Sequence, residues 1–344
     1  MTSFSNTRLA IGTYAGNGGA GVHAVADDGT LCAAYPDAMN VSFGVYSSRF
    51  DLHYLVDERD AGAVGTHRYA QSDWQSVAYA PTGGAAPCHA ALNHAQTLLA
   101  VANYGSGSVS LFRLDADGLP IAPPQVHANH GHGPNPERQE APHAHWVGFS
   151  PDDRWLYQTD LGTDQILAFP IDESGGLGAP RVAYAAPPGS GPRHLLLHPA
   201  HPDRAYLVSE LANTLTLLDR AGDDLVARGR YSTLPDGWHG ESIVAHLIAN
   251  RAGDRLYVSN RGHDSIAVFA LDAAGEPHLL QHAPTGGAYP RALLLREDKG
   301  AMIVAHEQGQ TVTTLDLAAD GRLTPTGFSL PVPGAAFVFV AEGA

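Results

Sequence analysis

A short apolar run ending in a polar residue, then a Gly-, Asp- or Asn-containing turn, then an alternating apolar strand recurs along the chain. The clearest copies are LLAVANYGSGSVSLFRLD, WLYQTDLGTDQILAFPID, AYLVSELANTLTLLD, RLYVSNRGHDSIAVFALD and MIVAHEQGQTVTTLDL, with weaker ones at HYLVDERDAGAVGTHRY and LAIGTYAGNGGAGVHAV. Marking the polar residue before each turn gives Thr13, Glu58, Asn103, Asp160, Glu210, Asn260 and His306, at intervals of 45, 45, 57, 50, 50 and 46. A unit of this length with two or three strand patterns matches a four-stranded propeller blade. Within RLYVSNRGHDSIAVFALD the apolar residues Leu256, Val258, Ile266, Val268 and Leu271 mostly follow period two, and no window keeps helical spacing. The expectation is an all-β, seven-bladed β-propeller with four-stranded blades, one domain over residues 1–344. The strand-like tail FVFVAE follows the seventh marker, so it is expected to complete a blade begun by N-terminal strands.

Composition narrows the partners. Lys and Arg total 20 against 35 Asp and Glu, a net charge of −15. Displacing counterions from a phosphate backbone needs a basic stripe, so nucleic acid is not expected as a partner. No window approaches the run of about 18 apolar residues that a spanning helix needs, and no membrane association is expected. The N-terminus MTSFSNTRLAIGTYAG lacks the charged and apolar regions of an export signal, and the only two cysteines, Cys32 and Cys88, cannot build a disulfide framework. These features predict a cytoplasmic protein.

Two features carry candidate chemistry. The longest interval holds VHANHGHGPNPERQEAPHAH, residues 126–145, with Arg138, Gln139, His143 and His145. If His143-Ala-His145 is already extended, both imidazoles leave one face. Such a pair could bind zinc or supply a general base, and solvated loop histidines are the plain alternative. The second feature is Gly191-Pro192-Arg193, then Glu210 at the fifth marker, Arg261 one blade further on, and Arg291 after Tyr289-Pro290. Cations recurring at blade-equivalent positions suggest an anion site in the central channel, because guanidinium forks match carboxylate or phosphate. Pairing of each Arg with a neighbouring acid is the alternative.

GTYAG, the PxHxxL start at Pro87, VANYGSGSV, ERQEAPHAH, FSPDDRWLYQTDLGTDQI, GPRHLLLHP, SELANTL, RLYVSNRGHDSIAVF and YPRALLL together resemble the lactonase family of seven-bladed propellers. Bacterial 6-phosphogluconolactonases belong to that family, and a fungal carboxymuconate cyclase is a relative. The resemblance implies a central-channel site at His143, His145, Arg193, Glu210 and Arg261, with Arg138 and Gln139 from the signature loop. Ala305-His306-Glu307 and Ala245-His246-Leu247 depart from the pattern of relatives.

Opening a lactone needs an activated water, an oxyanion stabiliser and a proton donor for the departing ring oxygen. Glu210 or His145 is expected as base, Arg193 as oxyanion stabiliser and Arg261 as anchor for a distant substrate anion, with Arg138, Gln139, His143 and Arg291 binding substrate. No G-x-S-x-G elbow is present, which favours direct attack by water. No cofactor is expected. His143 and His145 have no third ligand at firm spacing, so no metal is expected either. The partner implied by the resemblance is a small sugar-acid lactone, 6-phosphogluconolactone or an aldarolactone; carboxymuconate cycloisomerisation and a non-enzymatic binding scaffold are the alternatives.

Overall fold

In the computed structural model, residues 8–341 other than Asp27 and Asp223 are described. They form seven four-stranded antiparallel sheets, the blades of a seven-bladed β-propeller. The only helical segments among the described residues are two single 3-10 turns, Ala15–Asn17 and Glu297–Lys299. Blade one combines Leu9–Thr13, Val22–Val25 and Leu31–Tyr35 with the C-terminal strand Ala335–Val340, which pairs antiparallel to Leu9–Thr13 with Leu9 opposite Val340. The next blades run from Gly44–Ser47 to Asp73–Pro81, Pro87–Leu92 to Gln125–Ala128, Ala144–Phe149 to Arg181–Ala185, Pro192–Leu197 to Asp224–Ser232, Ile243–Ala249 to Pro277–Pro284, and Pro290–Arg296 to Leu323–Pro331. The chain divides into two compact units. One takes the N-terminal segment up to Ala34 together with His194–Ala341, and the other takes Tyr35–Arg193.

In each unit the apolar core lies between consecutive blades. Tyr54 and Val56 of blade two pack with Leu99 and Phe112 of blade three, and Val208 and Leu217 of blade five pack with Val258 and Phe269 of blade six. Buried tyrosines tie these layers together through their hydroxyls. Tyr54, Tyr206 and Tyr257 sit in the second strands of blades two, five and six, and each hydroxyl donates to a turn glycine of the following blade: Gly118 O (2.6 Å), Gly275 O (2.8 Å) and Gly321 O (3.1 Å). Burial pushes all three phenols up, Tyr257 to about 12, so they stay donors at any ordinary pH. The acceptor turns are built for this approach. Gly275 has φ 80°, and a Cβ there would lie 2.9 Å from the Tyr206 hydroxyl.

The strand ladders refine the repeat. The last residues of the second strands that pair with the third strands are Asp57, Asn103, Asp160, Ser209, Asn260 and His306, opposite Ala63, Ser108, Gln165, Thr214, Ser265 and Thr311. The sequence markers Glu58 and Glu210 therefore sit one residue beyond the equivalent position, because periodicity shows where a turn lies but not which residue ends the ladder. These strand ends are buried, and neighbouring segments supply their polar partners. Asn103 Nδ2 donates to Ser110 Oγ (2.8 Å), which donates to Thr82 O (2.6 Å). In blade seven, His306 Nε2 and Thr313 Oγ1 repeat this relay at 2.9 and 2.7 Å, ending on Thr285 O. The threonine hydroxyl has given its proton to that carbonyl, so the ring must donate from Nε2.

Burial lowers the pKa of His306 to about 4, and that of the equally buried His67 to about 4. Below the ordinary value near 6.5 the unfolded chain takes up protons that the folded chain refuses, so stability is held above pH 6.5 and lost towards pH 4. Each histidine contributes at most about 3 kcal/mol to that loss. His306→Asn places at this position the residue that Asn103 and Asn260 are in blades three and six. It should roughly halve the part of the acid destabilisation due to these two rings, read as the change in urea midpoint between pH 7.5 and 4.5. An unaltered acid slope would contradict the neutral ring.

Candidate active site

In the unit Tyr35–Arg193, the long loop before blade four is braced by buried polar residues. Asp160 Oδ1 accepts from His143 N (2.9 Å) and Thr163 N (3.1 Å), and its Oδ2 accepts from Asn129 Nδ2 (2.6 Å). Gln139 is fully buried. Its Nε2 donates to Leu161 O (2.8 Å), its Oε1 accepts from Asn135 N (3.2 Å), and its carbonyl accepts from Gly133 N (3.0 Å). The Gln139 amide thus ties the loop, through Asn135, to the turn after Asp160, through Leu161. Gly162 faces the loop so closely that a Cβ would lie 1.9 Å from Ala141 O.

Tyr104, which the sequence reading did not single out, organises the histidines. The His143 ring stacks on it at 4.4 Å and 14°, while His145 meets it edge-on at 5.4 Å and 76°. Arg138 Nη2 reaches the Tyr104 hydroxyl at 3.5 Å. His143 Nδ1 lies 3.0 Å from Tyr104 O and its Nε2 lies 3.2 Å from Glu140 Oε1. Both partners are acceptors. The extended His-x-His geometry does not apply: the strand begins at Ala144, and the ladder shifts between Ala144 and Trp146, leaving His145 in a bulge. The tyrosine brings the two rings together, and strand alternation does not. A bulge re-aims a side chain, and here it sets His145 Nδ1 3.8 Å from the thiol of Cys88, itself in a bulge of blade three. Arg193, the last residue of this unit, is buried, and its carbonyl accepts from Thr159 Oγ1 (2.8 Å).

In the other unit, Tyr14, Glu210, Arg261 and Glu307 each directly follow the equivalent strand-end residue of their blades. Glu210 and Arg261 are both buried, and Arg261 Nη2 lies 2.7 Å from Glu210 Oε2. The same nitrogen donates to Val244 O at 3.0 Å. The guanidinium stands over the Tyr289 ring at 5.2 Å. Arg291 occupies the bulge between Pro290 and Ala292, faces Glu307 Oε2 at 3.7 Å, and lies over Tyr14 at 5.2 Å. The recurring cations seen in the sequence therefore have carboxylates of the protein at hand, Glu210 for Arg261 and Glu307 for Arg291. Tyr289 and Tyr14 complete the cluster; Tyr289 was visible only as the residue before a Pro-Arg pair. His246, beside this cluster in sequence, stacks on His194 at 5.2 Å and accepts from Leu293 N through Nδ1 (3.0 Å). No group of three metal-ligating side chains occurs among the described residues.

Seven four-stranded blades of this register define a seven-bladed propeller, with buried polar residues at the ends of the second strands. The chain belongs to the lactonase family of seven-bladed β-propellers, whose family model matches residues 8–340. It is similar to the 6-phosphogluconolactonase of Bacillus subtilis, with 28% identity over 338 residues, 94% of this chain and 95% of the relative. Among solved structures it is similar to a periplasmic gluconolactonase of Pseudomonas aeruginosa, at a TM-score of 0.89 and 25% identity, covering 98% of this chain and 99% of the other. A protein from Lactobacillus plantarum is similar at a TM-score of 0.86 and 26% identity, covering 96% and 98%.

Asp160→Ala would strip three donors, two of them backbone amides of the histidine loop, of a buried acceptor. The expected loss is about 3 kcal/mol of unfolding free energy, with Asp160→Asn losing less, as measured by urea titration.

Proposed function

We propose that the protein hydrolyses a sugar-acid lactone by direct attack of water, with Glu210 as the general base. The observation that carries this reading is the buried Glu210–Arg261 pair within a chain of the lactonase family. A guanidinium at 2.7 Å favours the ionised carboxylate, which is the form a base requires. The water gives a proton to that carboxylate as its oxygen adds to the lactone carbonyl. The tetrahedral oxyanion collapses, the bond to the ring oxygen breaks, and the proton returns to the departing alkoxide, leaving the open hydroxy acid. Arg193 is assigned to the oxyanion. His143, His145 and Arg138 are assigned to substrate binding.

The pairing changes the role read for Arg261. A guanidinium already bound to Glu210 serves the base better than it serves a distant substrate anion, and Arg291, in its looser contact at 3.7 Å, becomes the candidate anchor. The kinship with a 6-phosphogluconolactonase and the similarity to a gluconolactonase mark phosphorylated and neutral lactones as the substrates to compare.

Glu210→Gln should lower kcat by about 10² to 10⁴ with a small change in KM, measured as acceleration over buffer hydrolysis. His145→Ala should act mainly through KM; a larger kcat loss there than in Glu210→Gln would make His145 the base. Arg291→Ala should raise KM for 6-phosphogluconolactone and for galactaro- and glucarolactone while barely changing that for gluconolactone. Equal losses on all four would remove its role as anion anchor.

A further inference from the structure

Tyr289 lies immediately before the first strand of blade seven with a left-handed backbone, φ 65°. The same place ahead of blade five is held by Gly191, also at φ 65°. Each amide donates to an aspartate Oδ1 at 2.8 Å, Tyr289 N to Asp264 and Gly191 N to Asp164. The entry to a blade thus calls for this backbone conformation, and glycine adopts it freely. A residue with a bulky side chain is strained there, which marks the position as one where something else is gained.

The gain is the ring's placement. Arg261 is buried, with Nη2 shared between Glu210 Oε2 and Val244 O, while its Nε has no hydrogen-bond partner among the described residues. The Tyr289 ring, 5.2 Å from the guanidinium carbon, covers the flat face that hydrogen bonds leave unused. The Tyr289 carbonyl is in turn fixed by Glu307 N at 3.0 Å.

We infer that Tyr289 is a positioning residue for lactone hydrolysis: its strained backbone aims the ring under Arg261, and the ring holds the guanidinium against Glu210. The inference rests on the reading of Glu210 as the base. It differs from a packing role in one respect, because replacing Tyr289 by glycine relieves the backbone while deleting the platform.

Tyr289→Gly and Tyr289→Phe test this. Tyr289→Gly should melt no lower than the parent protein, yet lose about tenfold in kcat on gluconolactone with KM within about twofold, the size expected for one desolvated cation–π contact. Tyr289→Phe keeps the face of the ring and should restore kcat. The Arg261 Nε–H resonance, assigned by its absence in Arg261→Lys, should carry a ring-current shift in the parent and in Tyr289→Phe that vanishes in Tyr289→Gly. A parent-like kcat, an unmoved resonance or a lower melting temperature in Tyr289→Gly would each overturn the inference. If the parent accelerates no lactone, the reading of Glu210 fails, and the resonance still decides whether Tyr289 positions Arg261.

Discussion

A blade that is apolar on both faces cannot stand in water alone, and the buried donors at the ends of its second strands, as on Asn103, Asn260 and His306, must be taken up by neighbouring groups. These two constraints govern the rest of the molecule. The first makes the core a set of layers between consecutive sheets, stitched by tyrosine hydroxyls that reach turn glycines of the following blade. The second makes neighbouring segments supply partners, as Thr82 O and Thr285 O do for the relays from Asn103 and His306. Side chains one residue further along emerge already fixed in direction. Glu210 and Arg261 stand there, paired with each other.

Placement by the scaffold explains why the polar cluster contains so many opposed charges. A buried guanidinium without a partner would cost several kcal/mol, and a buried carboxylate as much. Pairing Arg261 with Glu210 at 2.7 Å offsets part of both costs. The aromatic faces of Tyr289 and Tyr14 extend the same logic to the flat sides of Arg261 and Arg291, where no hydrogen bond can be made. On the histidine loop, Tyr104 serves two imidazoles at once.

The blade count, the strand periodicity and the pairing of the tail with the N-terminal strands were legible in the chain because each is a local pattern repeated many times. Asn103, Asp160, Asn260 and His306 were found for the same reason. Glu58 and Glu210 were placed one step off, since the end of a ladder depends on hydrogen bonds to a partner strand. His143 and His145 were read as a pair set by strand alternation, but a bulge defeats that alternation and both rings instead meet Tyr104, about forty residues away. Gln139, read as a substrate-binding residue, ties its loop to the turn after Asp160, a distinction that requires knowing what lies opposite its amide. The strain at Tyr289 had no sequence signal beyond a tyrosine standing where blade five has a glycine.

The pairing of Leu9–Thr13 with Ala335–Val340 has a consequence for how the protein is made. During translation the first blade stays one strand short until Ala335–Val340 has been made, so an unpaired edge persists while the intervening blades form. A transcript cut short by a premature stop yields a product whose open edge invites pairing with another chain, however well its later blades have formed. The seam between these two strands therefore forms late, and pairing between residues this distant in the chain is a slow event in folding.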